Sequence, residues 1–150
     1  MSAASERRIG DVVVGEQLPE AVYPINTYRL VMAAGANRDF NSIHHNSAYA
    51  RSTGAPDMYA NVLFLLGMWE RAVRDWAGPD ARIVAIRKFR MGRFNTVGHT
   101  TRVQAQVTAL DPASGRVTLT VACLDDAGLT VGPGEVDVIF PVDEPSEEQP

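Results

Sequence analysis

DMYANVLFLLGMWERAVRDWAGP occupies residues 57–79 and sets the plan of the chain. Asp57 is a candidate helix cap, and the run that follows reads as one helix to about Trp76. Residues 62–68 are apolar on every side, so the first half of this helix should be buried on most sides. Its second half turns amphipathic, with Glu70 and Arg74 four apart and able to pair. Gly78 and Pro79 stop it. A single helix of this kind needs a sheet to cover it.

The residues that follow supply one. A strand is expected over residues 81–91. Val103, Ala105, Val107 and Ala109 then alternate with Arg102, Gln104, Gln106 and Thr108, the period of a half-buried strand. A turn over residues 111–115 leads to Val117, Leu119, Val121 and Cys123 on one face of the next strand. A second turn covers residues 125–128, and a last strand is expected at about 136–141. Upstream, Pro19 and Pro24 punctuate the chain, and a first strand is expected within residues 23–32. Residues 37–56 are rich in Asn, His, Ser and Gly and read as a short helix plus an irregular segment. One buried helix followed by antiparallel strands is an α+β layout, with the sheet wrapped around the long central helix.

The chain has 150 residues, enough for one core. It shows no internal repeat and no interior linker. The expected division is one domain over residues 1–142 and a disordered acidic tail over residues 143–150. Residues 1–6 are expected to be loose, and no secretory leader or membrane span is expected. The formal charge of −4 lies in the tail; without Asp143, Glu144, Glu147 and Glu148, 14 acids face 14 bases. A neutral body argues against a nucleic-acid partner. Cys123 is the only cysteine, so disulfides and cysteine metal sites are excluded. A cytoplasmic location fits this composition.

Chemistry concentrates in Arg38-Asp39-Phe40-Asn41-Ser42-Ile43-His44-His45, just before the central helix. A carboxylate precedes an imidazole by five residues. Hydrating an enoyl thioester requires activated water, a proton route to Cα and a donor for the enolate oxygen. Asp39 and His44 sharing a water supply the first two, and a backbone N–H at the helix start supplies the third. The spacing alone equally suits a structural loop in which Asp and His cap turns. His44 and His45 lack a third ligand, so no metal site is expected. Arg82, Arg87, Lys88, Arg90 and Arg93 form a basic strand, read either as phosphate contacts or as a solvated face.

The segment resembles the MaoC-like, or (R)-specific, enoyl-CoA hydratases of the hot-dog fold, whose motif runs Asp-x-Asn-Pro-x-His. Asp39, Asn41 and His44 match it, and Ser42 stands in place of the Pro. The resemblance covers residues 22–142. The stretches around residues 38–45, 57–61 and 75–79 are similar to the small subunit of actinobacterial steroid side-chain hydratases. It implies a single hot-dog domain and a catalytic Asp39–His44 pair. It also implies a bulky acyl-CoA substrate with a shortened steroid side chain, no cofactor beyond the CoA of the substrate, and a second MaoC-like chain as partner.

Asn41, Tyr59, Ala60 and Asn61 are the expected substrate contacts. Members of the family carry His-Gly at the start of the central helix, and the Gly amide contacts the thioester; Ala60-Asn61 stands there in this chain. Asn61 either narrows or adds a polar contact to the thioester pocket, or simply satisfies backbone at the helix start. A dehydratase acting on acyl-carrier-protein thioesters and a non-catalytic subunit supporting a partner hydratase are the alternatives. A thioesterase is disfavoured, because Glu70 and Asp75 fall late on the helix. An open sheet edge calls for at least a dimer, with itself or with another chain.

Overall fold

A computed structural model describes residues 7–142; the expected loose start and acidic tail lie outside them. The central helix, α3, spans Val62–Ala77. It begins four residues later than Asp57 would place it. Residues 58–60 are held extended against another loop: Ala60 N–H donates to Asn95 O, and Val97 N–H donates to Met58 O. Helical dihedrals are blocked there, so Asn61 becomes the cap, its carboxamide oxygen accepting from Phe64 N–H at 2.8 Å. Asp57 instead accepts from Arg51 and from Met58 N–H.

Five antiparallel strands cover α3 in the order β1-β3-β4-β5-β2: β1 Ala21–Pro24, β2 Arg82–Arg87, β3 Thr100–Asp111, β4 Arg116–Asp125 and β5 Gly128–Ile139. Val117, Leu119, Val121 and Cys123 are fully buried, as their alternation predicts. On β3 the alternation holds for Val103, Ala105 and Val107 but fails at Ala109, which is exposed. The register shifts between Val107 and Ala109, and a bulge moves side chains to the other face.

The last strand begins eight residues before the expected start. Gly132-Pro133-Gly134 argued against a strand, yet β5 runs through it. A Cβ on Gly134 would stand 2.6 Å from Arg87 O and 2.9 Å from the Trp69 ring, so only glycine lets β5 lie against both.

Trp69, Leu65, Met68 and Val73 form the buried face of α3. Each such side chain contributes about 1.5–3 kcal/mol on burial. The first turn of α3 departs from expectation: Val62 and Leu63 are about half exposed. They stand beyond the sheet, at the mouth of a cavity. The Glu70–Arg74 pair forms at 2.8 Å, and Gly78 caps the helix end.

Residues 23–32 are mostly not strand. β1 ends at Pro24, and helix α1 spans Thr27–Ala36. Asn26 caps it by accepting from Arg29 N–H, and Leu30 and Ala34, four apart, face the core. Residues 37–56 form a single 3-10 turn, Ser42–His44, and a short helix α2, Ser47–Ser52.

Candidate active site

Asp39 is placed by the end of α1. Asn37 closes the helix, and Arg38 takes a left-handed φ of 54°. Arg38 N–H donates to Gly35 O at 3.1 Å and Asp39 N–H to Ala34 O at 2.8 Å. This paired arrangement is a Schellman motif, and it fixes where the Asp39 backbone leaves the helix. His44 is placed by the 3-10 turn. The Asn41 side chain accepts from Ile43 N–H at 3.2 Å and opens that turn.

The two side chains meet. His44 Nε2 lies 3.0 Å from Asp39 Oδ2, with the imidazole buried and the carboxylate about one-third exposed. His44 Nδ1 lies 2.7 Å from Tyr59 O. A carbonyl oxygen only accepts, so Nδ1 carries the hydrogen and Nε2 is the working nitrogen. The Tyr59 ring stands edge-on to the imidazole, and Phe94 packs on Tyr59 in turn. Burial, reinforced by the Asp39 charge, pushes the Tyr59 phenol above its ordinary value.

Asp39, His44, Tyr59, Ala60 and Asn61 line one cavity of about 330 Å³, together with Val62 and Leu63 from the first turn of α3. The N–H groups of that turn have no acceptor one turn back, so they present donors and partial positive charge. Asn61 is buried. Its oxygen is used twice, by Phe64 N–H and by the Asn37 carboxamide at 3.2 Å. Its Nδ2 is buried without a partner. An orphaned donor in the wall of a cavity is a costly feature, and it marks where a ligand acceptor belongs.

Asn41 does not line the cavity; it is exposed and acts through the turn that carries His44. His45 is also exposed and points to Phe40 O. Most of the basic strand is internally neutralised: Arg87 grips Asp137 and Glu135, Lys88 meets Glu135, and Arg93 meets Asp125. Arg82 and Arg90 are exposed and carry no ion pair among the described residues. Asn37, Met91 and Phe94 were not legible as site residues. Asn37 gains meaning only once residues 27–36 are known to be a helix. Among the described residues no group of His, Cys, Asp and Glu is arranged to hold a metal ion, and no helix is long and apolar enough to cross a membrane.

No profile of a known protein family matches the chain. A single relative decides its family: the 3-oxo-4,17-pregnadiene-20-carboxyl-CoA hydratase beta subunit of Mycobacterium tuberculosis is 37% identical over 110 residues, spanning 73% of this chain and 82% of that protein. The chain belongs to the MaoC-like hydratase family of hot-dog proteins. The crystal structure of the ChsH1-ChsH2 complex from Mycobacterium tuberculosis agrees, with a TM-score of 0.81 at 32% identity, covering 87% of this chain and 99% of that one. The unliganded R-hydratase PhaJ1 of Pseudomonas aeruginosa superposes with a TM-score of 0.81 at 23% identity over 95% of this chain and 94% of that one, a likeness of fold. Within this MaoC-like hot-dog frame, the expected sheet around one central helix is confirmed.

Proposed function

We propose that this chain is an enoyl-CoA hydratase that adds water across the 2,3 double bond to give a 3-hydroxyacyl-CoA. The observation that carries it is the Asp39–His44 contact of 3.0 Å inside a cavity walled by the first turn of α3. A contact of that length between Nε2 and a carboxylate oxygen holds one shared proton. Water in reach of both groups attacks Cβ as His44 Nε2 and Asp39 receive its proton. The shared proton passes to Cα, and the pair ends as it began. The charge that develops on the thioester oxygen falls to the amides of Asn61 and its successors. Tyr59 and Ala60 shape the wall, and the Asn61 carboxamide supplies a further donor, so that Asn61 does part of what glycine does elsewhere in the family. No metal or redox group enters the scheme.

The substrate we propose is a bulky thioester, in steroid side-chain or fatty-acid degradation. The support is the name of the 37%-identical relative, a hydratase subunit for a pregnadiene carboxyl-CoA. That relative is a beta subunit, and the 32%-identical structure is of a two-chain complex. The partner proposed is therefore a second MaoC-like chain rather than a second copy. The same names sustain a competing reading, a non-catalytic subunit that supports an active partner. Purified chain, alone and with its partner, assayed with enoyl-CoA as wild type, Asp39→Ala and His44→Ala separates the two. Loss of the hydration activity in both variants supports catalysis here; retained activity in the complex assigns it to the partner.

A further inference from the structure

A second, larger space opens beside the catalytic cavity. It is a groove of about 590 Å³ between α1 and α3, and Leu63 belongs to both walls. The groove exists because Ala33, Ala36 and Gly67 are small where the two helices face each other. A Cβ on Gly67 would meet nothing within 4 Å. Met32, Phe64 and Met68 give it apolar walls. Tyr28 is 71% exposed, Met32 54% and Leu63 53%, a cluster of large apolar side chains that a free surface does not favour.

The two ends differ. The near end is tied to the active site, because Asn37 at the end of α1 bonds to Asn61 at the start of α3. At the far end, Tyr23, Arg29 and Arg71 gather their polar heads, and the Tyr23 phenol lies in the field of both guanidinium groups. Leu63 and Arg71 are eight residues apart on one helix face, about 12 Å at 1.5 Å per residue. A flexible acyl chain does not require such a shape. A rigid, flat, multi-ring hydrocarbon does, with its thioester arm at the near end and an oxygen substituent at the far one.

The geometry points to this groove as the subsite for a fused polycyclic acyl group bearing a ketone or hydroxyl at the end remote from the thioester. The assignment rests on the hydratase reading for its catalytic end, but not for its binding. The test uses a tetracyclic keto-carboxylate that lacks CoA and has no double bond to hydrate, titrated calorimetrically into the purified chain. Binding is thus read whether or not the chain is a hydratase. Saturable binding is expected, weakened at least about tenfold, or 1.4 kcal/mol, by Gly67→Leu, which fills the groove from a position with open space. Tyr28→Ala, at an exposed site, should weaken it likewise. In the enzyme assay, Gly67→Leu should lower the ratio of kcat/KM for a polycyclic enoyl-CoA over that for crotonyl-CoA at least about 30-fold. Absence of binding to wild type, or binding that Gly67→Leu leaves intact, overturns the assignment. So does a Gly67→Leu chain that binds the probe normally but no longer assembles with its partner in size-exclusion, since the groove then belongs to a protein contact.

Discussion

The carboxamide of Asn37 donates to the carboxamide oxygen of Asn61 across 3.2 Å, joining the end of the helix that delivers Asp39 to the start of the helix that walls the cavity. The catalytic carboxylate and the amide donors come from different elements, and this bond sets their spacing. Asn37→Ala should therefore lower kcat more than it lowers stability. A loss of about tenfold in kcat beside a stability change near 1 kcal/mol, read by steady-state kinetics and urea denaturation, is expected. Equal losses in both would make the bond merely structural.

Asn61 carries two separable duties. Its oxygen caps α3, and its Nδ2 stands free for a ligand. Asn61→Asp keeps a good cap and removes the donor, so stability should hold while kcat falls about 100-fold. Asn61→Ala loses the cap as well and should cost about 1 kcal/mol of stability. If thermal melts and kinetics show Asn61→Asp folding and turning over like wild type, the side-chain donor has no role.

Arg38 stores strain. It holds φ at 54° in the Schellman turn, where glycine is at ease and a side chain is not. Arg38→Gly should raise stability by about 1 kcal/mol in chemical denaturation. A destabilised variant would show that the Arg38 side chain contributes more than its backbone costs.

Asp137 anchors the far side of the sheet. It is buried, and two hydrogen bonds from Arg87, helped by Thr118 and Arg116 and opposed by burial, hold its carboxyl down at about 2. Its ordinary value is 3.8, so the unfolded chain binds this proton more readily than the folded one. The stabilisation is full above about pH 4 and is lost as pH falls toward 2. Asp137→Asn should lower stability at pH 7 by about 2 kcal/mol and flatten the acid limb of a pH-resolved denaturation series. An unchanged acid limb would locate acid sensitivity elsewhere.

The fold was legible where burial and period agreed. The four inward residues of β4 and the Gly78 stop of α3 carry their pattern openly. The signals that failed were local ones overruled by tertiary contacts. Asp57 is a sound cap by type, but the bonds of residues 58–60 to the loop at residues 95–97 keep that stretch extended. Gly132 and Gly134 look like strand breakers, yet they make room for Trp69. Thr27–Ala36 hides its helical period behind Tyr, Val and Met, and the site lost most through that miss. Asp39 and His44 were readable from their residue types and from the family motif. Asn37 and Arg38 were not, because their work depends on a helix end.

The central claim is that His44 and Asp39 of this chain move the protons of hydration. The direct measurement is the loss of enoyl-thioester absorbance with wild type, His44→Ala and His45→Ala, each with its partner present. The account predicts a fall of at least about 1,000-fold in kcat/KM for His44→Ala and a much smaller effect for His45→Ala. A fully active His44→Ala enzyme would contradict it.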